Sequence, residues 1–154
     1  MNRRRLITLL VVLFVVGGSL LFLRYCTDIT HGGIAGIDAN HDGIRDDLEK
    51  LIDEKWGSDP KIRSAARYLA KTYQDEILHP DTADEKAGLF AIDCLFYVAP
   101  KQAYDISKAL EEAAANTYPR VNALFRESAR FNGKILHGAK SREEACAFDP
   151  ALIK

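Results

Sequence analysis

Side chains that carry oxygen recur at regular intervals between residues 38 and 49. Counted from the first of them, they occupy positions 1, 3, 5, 9 and 12 of a twelve-residue stretch, as Asp38, Asn40, Asp42, Asp46 and Glu49. A calcium loop uses this spacing, because Ca²⁺ takes six to eight oxygen ligands. The spacing therefore predicts a metal site with these five side chains as ligands.

Other features of this stretch also suit calcium binding. Gly43, at position 6, permits the sharp turn that a side chain would resist. The backbone carbonyl of Ile44 can supply a further oxygen, Asp46 can bind directly or through a water, and Glu49 can offer both of its oxygens. Without a cation the four carboxylates at the predicted ligand positions would repel one another.

A simpler interpretation of the stretch is the acidic start of a helix, where Asp46 and Asp47 favour the helix dipole. This interpretation accounts for the end of the pattern. It does not explain the preceding pattern Asp38-x-Asn40-x-Asp42-Gly43, so we expect that the stretch binds calcium.

The stretch partly resembles an EF-hand loop. An EF-hand has an entering helix, to which the glycine-bearing residues 25–37 are unsuited, and an aliphatic eighth position, where this chain has Arg45. With the later Trp56-Gly57-Ser58-Asp59-Pro60, the segment is more similar to the thrombospondin type 3-like calcium repeats of bacterial envelope proteins. The resemblance covers one copy, at about residues 38–60. It implies calcium and the same five side-chain ligands, but no activity for residues 61–154.

The N-terminus predicts a membrane segment. Three arginines at positions 3–5 precede the uncharged residues 6–23, a run that would span roughly 27 Å as a helix. The arginines should remain cytoplasmic, so we expect a single-pass protein of a bacterial inner membrane whose domain faces the periplasm. One alternative is a signal peptide cleaved near residues 17–19, which would give a secreted protein. Another is lipid attached to Cys26, although the residues before it do not form a lipobox.

The chain should therefore divide into a signal-anchor at residues 1–24, a linker at 25–37 and an extracytoplasmic helical domain at 38–154. The domain contains Cys94 and Cys146, which we expect to form a disulfide in an oxidising compartment. The alternative is two buried free thiols.

Apolar periodicity and helix-capping residues predict an all-α fold, a small bundle of five to six helices after the calcium loop. Ser58 or Asp59 should cap the second helix, with Pro60 in its first turn, and Ser141 should cap a short final helix. The third helix should begin at the capping box of Thr82 and Glu85, run to Val98, and be the central, buried one. In the fifth helix, Val121, Leu124, Phe125 and Ser128 should face inward. Asp93, a charge within the apolar third helix, should either hydrogen-bond a structural partner or line a ligand pocket.

The charge of the chain restricts the kinds of molecule that it could bind. After Arg24 the chain carries 17 basic and 22 acidic residues, which argues against nucleic acid. No phosphate loop, nucleophile elbow or zinc-protease motif occurs, so we do not expect an enzyme. The leading hypothesis is a membrane-tethered calcium-binding protein whose metal is mainly structural. The alternatives are an envelope module that binds a protein, such as a secreted toxin or hydrolase, and then a hydrolase.

Overall fold

A computed structural model of the protein describes residues 33–149, and within them the fold contains six helices and no strand. The all-α prediction is therefore confirmed for this part of the chain. The helices are α1 Asp46–Trp56, α2 Pro60–Leu78, α3 Ala87–Val98, α4 Ala103–Ala114, α5 Tyr118–Ala129 and α6 Arg142–Ala145. The six helices all belong to one compact unit, Ile37–Lys154.

The predicted membrane segment at residues 1–24 and most of the predicted linker lie outside the described residues. Among the helices between residues 33 and 149, none combines the length and the apolar character that a bilayer crossing requires.

Several helix boundaries follow directly from capping residues. The side chain of Asp59 accepts hydrogen bonds from the amides of Lys61 and Ile62, at 2.9 and 3.1 Å, and Pro60 begins α2 where its missing N–H costs nothing. Ser141 accepts a hydrogen bond from the Glu144 amide at 3.2 Å and starts α6. Both predicted caps are confirmed.

The predicted start of the third helix at Ala83, after a cap at Thr82, is wrong, because α3 begins at Ala87. The segment between α2 and α3 instead forms consecutive turns. Side chains at and after the end of α5 hydrogen-bond to these turns. Arg130 donates to the carbonyls of Pro80 and Ala83, and Lys134 pairs with Glu85 at 2.5 Å. These long-range bonds outweigh the local capping tendency.

The centre of the bundle is α2, not the more apolar α3 as the sequence predicted. α2 packs against α1, α3, α4 and α5, whereas α3 leaves Phe96 and Tyr97 exposed. α2 has the length to reach all four neighbours, with 19 residues against 12 in α3. Small residues, Ala65, Ala66 and Ala70, let those neighbours approach it closely.

The inward face of α5 matches the prediction only in part: Leu124 packs against the core, but Phe125 and Ser128 are exposed. Its buried residues are Arg120, Ala123 and Glu127, while Phe125 is 71% exposed. Arg120 donates to Asn116 at 2.5 Å and lies near Asp47, so polar contacts select the inward face. Tyr118, which shares the outward face with Phe125, is 78% exposed.

The C-terminal segment is fastened to α3. Cys94 and Cys146 form the predicted disulfide, across a sequence separation of 52 residues. Asp93, one residue earlier, accepts a hydrogen bond of 2.7 Å from the Ala139 amide. The Asp93 carboxylate therefore has the structural role that the sequence offered as one of two interpretations.

Candidate metal site

The loop before α1 is shaped by three side-chain oxygens that accept hydrogen bonds from amides of the same loop. Asp38 Oδ2 accepts from the Gly43 amide at 2.9 Å, and Asn40 Oδ1 accepts from the Asp42 amide at 3.1 Å. Asp42 Oδ1 accepts from the Ile44 amide at 2.9 Å. These overlapping turns curl the chain so that the alternate residues of the loop converge.

Two left-handed residues make the curl possible. Gly43 has φ +89, and a Cβ built there would lie 3.2 Å from Cε of Lys71, so a side chain would be both strained and crowded. His41 has φ 58 and is the one non-glycine residue with positive φ among residues 33–149. The loop therefore stores some backbone strain next to the predicted ligands.

One oxygen inside the curl has no protein partner. Asp38 Oδ1 is buried and accepts no hydrogen bond from the described residues. A buried carboxylate oxygen without a donor costs about 1–3 kcal/mol or more, since it has lost its hydration without replacement. A cation bound by the loop would remove this cost.

The loop is also tied to the residues on either side of it. Asp46 Oδ1 accepts from the Ala39 amide at 3.0 Å, and the Asp46 amide donates to the Ile37 carbonyl at 2.8 Å. Ile44 is buried, and its side chain belongs to the hydrophobic core. The position of the loop is therefore fixed by the core as well as by polar contacts.

A guanidinium from α2 reaches the acidic side chains of the loop. Arg67 donates through Nη1 to Glu49 Oε1 at 2.5 Å and through Nη2 to Asp42 Oδ2. Asn40 Nδ2 donates to the other oxygen of Glu49 at 3.1 Å. Both carboxylate oxygens of Glu49 are therefore engaged by N–H donors.

These contacts set the electrostatics of Asp42. Burial acts to raise its pKa, but the Ile44 amide and the Arg67 guanidinium outweigh burial and hold the pKa of Asp42 below its ordinary value. The carboxylate is thus kept in the ionised form that a metal ion requires.

Arg45, the departure from the aliphatic eighth position, anchors the loop to another helix. It is 1% exposed, pairs with Asp47 at 2.7 and 2.8 Å, and donates to the carbonyls of Ala113 and Ala114 at 2.9 and 3.0 Å. Its guanidinium thus caps the C-terminal end of α4, where unpaired carbonyls and the helix dipole favour a cation.

Asp47 also accepts from Asn116 Nδ2 at 3.3 Å, which extends the connection to the turn between α4 and α5. Burial acts to raise the pKa of Asp47, while the hydrogen bonds and charge of Arg45 hold it lower on balance. Hydrogen bonds through Arg45 and Asp47 therefore connect the loop to the end of α4 and to the turn between α4 and α5.

The structure joins three of the five predicted side-chain ligands, but not as a finished cage. Asn40 Nδ2 donates to both Asp42 and Glu49, whereas Asp38 accepts from the Gly43 amide and Asp46 from the Ala39 amide. Among the described residues, no three Asp, Glu, His or Cys side chains are spaced to hold a metal ion as they stand. Arg67 and Asn40 supply N–H groups where a metal would need oxygens.

The residue set nevertheless fits calcium once those donors turn away. Asp38 Oδ1 is buried and has no hydrogen-bond donor among the described residues. The side chains are hard oxygen donors of net negative charge, the kind that calcium prefers to nitrogen or sulfur.

Sequence reasoning missed Arg67 and its neighbour Lys71, whose Nζ donates to the Asp42 carbonyl at 2.8 Å. The only feature of the sequence that places them together is their spacing, i and i+4, beside the apolar stripe of α2. Nothing local to either residue indicates that the loop folds against this helix.

Other groups that could do chemistry are placed differently. His79 Nδ1 lies 3.0 Å from Asp75 Oδ1, and both side chains are more than half exposed. A groove of about 430 Å³ runs along α4, lined by Tyr104, Ser107, Lys108, Glu111, Glu112 and Ala115. Neither a histidine nor Asp93 lines this groove. The expectation that the protein is not an enzyme stays a prediction.

Comparisons with known proteins identify no relative. No family model, no curated protein and no solved structure matches this chain. The proposals below therefore depend on the residues of this chain alone.

Proposed function

We propose that the protein is a membrane-tethered calcium-binding protein of the bacterial envelope, with one calcium ion held by residues 38–49 in a mainly structural role. The observation that carries the proposal is the curled loop with the buried, unpartnered Asp38 Oδ1 at a predicted ligand position. The membrane tether remains a prediction from the sequence of residues 1–24, and it implies a periplasmic domain or, after cleavage, a secreted one.

Each predicted ligand has a part in this proposal. Asp38, Asn40, Asp42 and Asp46 would supply side-chain oxygens, Ile44 its carbonyl oxygen, and Glu49 its carboxylate at the first turn of α1. Calcium, when bound, would neutralise carboxylates that otherwise repel one another.

A structural role follows from what the loop is attached to. Glu49 is part of α1, Ile44 is buried in the core, and Arg45 caps α4. Binding that fixes residues 38–49 therefore stabilises the start of α1 and the end of α4 together. An EF-hand switch that opens a groove is not expected, because the described residues before the loop form no helix.

Isothermal titration of the purified full-length chain with CaCl₂ tests the binding. We expect one site per chain, with a dissociation constant of about 10⁻⁴–10⁻³ M, as in extracellular calcium modules. Asp38→Asn, which weakens the predicted first ligand, should lower the affinity at least tenfold. Asp105→Asn, an exposed carboxylate on α4, is the matched control and should bind as the wild type does. Absence of binding up to 10 mM calcium would reject the proposal.

A second candidate function is the binding of an envelope protein, and the exposed aromatic face of α5 favours it. Tyr118 and Phe125 lie two turns apart on the side of the helix that faces away from the core. Exposed aromatic side chains on one helix face are typical anchors of protein interfaces. The expected occupant is a protein with an apolar surface, such as a secreted enzyme or toxin.

Affinity capture from native membranes, with variants as baits, tests this second function. A specific partner should be retained by the wild type and by Tyr104→Ala, which removes an exposed aromatic from α4, and lost with Tyr118→Ala/Phe125→Ala. Because both α5 residues are exposed, the double variant should keep its melting temperature. A partner that is retained equally by all three baits would contradict a role for this face.

A further inference from the structure

Two positive side chains on α2, one turn apart, are directed at the candidate calcium loop. Arg67 bridges Glu49 and Asp42, with its Nη1 2.5 Å from Glu49 Oε1. Lys71 reaches the backbone, with its Nζ 2.8 Å from the Asp42 carbonyl oxygen. Of the two, only Arg67 contacts carboxylate oxygens at predicted ligand positions.

The contacts of Arg67 use oxygens that calcium would also need. Glu49, at the twelfth position, is the ligand expected to offer both oxygens, and one of these already accepts from Arg67. Asp42 Oδ2 accepts from the same guanidinium. The guanidinium of Arg67 and a calcium ion are both cations. They would repel each other strongly if both contacted the same carboxylate oxygen, so each disfavours the binding of the other.

We propose that Arg67 is a tethered counter-ion that competes with calcium for Glu49 and Asp42. In the calcium-free protein it holds the carboxylates together, and calcium binding releases it from Glu49. Its presence weakens calcium binding, because only the fraction of molecules in which Arg67 has turned away is ready to bind. This inference depends on the calcium proposal and adds the group that sets the affinity.

The opposite role for Arg67 is that of a support that holds Glu49 and Asp42 in position for the metal. The two roles predict opposite effects of its removal. If Arg67 competes, a neutral residue binds calcium more tightly; if it supports, a neutral residue binds calcium more weakly.

Arg63 provides a matched control on the same helix. It feels the charge of Glu49, but it hydrogen-bonds Asp53 Oδ1, at 2.6 Å from its Nε, and not a predicted ligand. Arg63→Gln therefore removes a nearby positive charge without freeing a ligand oxygen. Comparison with Arg67→Gln separates direct competition from a general change in charge.

The experiment is isothermal titration of the full-length wild type, Arg67→Gln and Arg63→Gln with CaCl₂, together with melting temperatures in chelator. Arg67→Gln should bind calcium on the order of tenfold more tightly than the wild type and melt at a lower temperature without calcium. Arg63→Gln should stay within about threefold of the wild-type affinity.

Other outcomes overturn the inference. If the wild type binds calcium and Arg67→Gln binds with equal or lower affinity, competition is refuted while the calcium site stands. If no variant binds calcium up to 10 mM, the calcium proposal fails and this inference fails with it. If Arg67→Gln does not fold in chelator, calcium should refold it, as read by Trp56 fluorescence. Failure to refold, together with an Arg67→Met variant (also neutral) that binds calcium no more tightly than the wild type, would refute competition.

Discussion

Replacement of the buried Arg45 by methionine should destabilise the domain more than its single ion pair suggests. Methionine keeps an unbranched side chain of similar length in the core, so packing changes little. What is lost is the cap on two carbonyls at the end of α4, those of Ala113 and Ala114. Each carbonyl left buried without a donor costs about 1–3 kcal/mol.

The contribution of Asp47 to this loss should be small. Its side chain is 53% exposed, so water replaces Arg45 readily, and a half-exposed ion pair is worth up to about 1 kcal/mol. The bond to the Ala113 carbonyl is only partly buried, so the low end of that range, about 1 kcal/mol for each carbonyl, is used. The sum for Arg45→Met is then about 3 kcal/mol, which for a domain of this size lowers the melting temperature by roughly 10 °C.

Urea unfolding of the full-length chain measures the effect through Trp56, the only tryptophan. Asp47→Asn is the control, because it weakens the ion pair and leaves the helix cap in place; it should cost less than about 1 kcal/mol. An Arg45→Met variant that loses no more stability than Asp47→Asn would refute the interpretation that Arg45 joins the loop to α4.

Two further predictions concern α2 and the C-terminal segment. Burial, followed by the nearby charge of Glu127, raises the pKa of Glu76 to about 8, from 4.5 in the unfolded chain. The folded protein thus holds a proton that the unfolded chain releases, so its unfolding free energy should fall as pH rises from about 4.5 through about 8, by up to about 1.4 kcal/mol per pH unit. Glu76→Gln should flatten this profile in urea unfolding between pH 5.5 and 8.5, and an unchanged slope would contradict the assignment. Removal of the disulfide by Cys94→Ser/Cys146→Ser should cost about 2–4 kcal/mol, because the bridge closes a loop of 52 residues. A loss below about 1 kcal/mol in the same assay would show that the bridge does not restrain the unfolded chain.

The sequence predicted those parts of the fold that depend on neighbouring residues. Asp59 and Ser141 cap helices wherever the rest of the chain lies, because their acceptors serve amides only two or three residues away. The spacing of Asp38 and Gly43 likewise predicted a curled loop, since the turn is made within the loop itself.

The predictions from the sequence were wrong where residues far apart in the chain determine the local structure. The capping box at Thr82 was overridden by Arg130, which donates to the Ala83 carbonyl across 47 residues of sequence. The inward face of α5 was predicted only in part, because Arg120 finds polar partners inside, which the apolar pattern of that helix does not show. Arg67 was missed for the same reason, because its contacts to Asp42 and Glu49 depend on how α2 packs against the loop.

The central claim is that calcium stabilises this domain through residues 38–49, and the dependence of folding stability on free calcium tests it most directly. With a dissociation constant near 0.3 mM, 10 mM calcium should stabilise the full-length wild type by about 2 kcal/mol, and the melting temperature should rise steadily above about 0.1 mM. Magnesium at the same concentration should have a smaller effect, because it prefers a tighter octahedral shell. A melting temperature that is unchanged between chelator and 10 mM calcium, or that rises equally in Asp38→Asn, would contradict the claim.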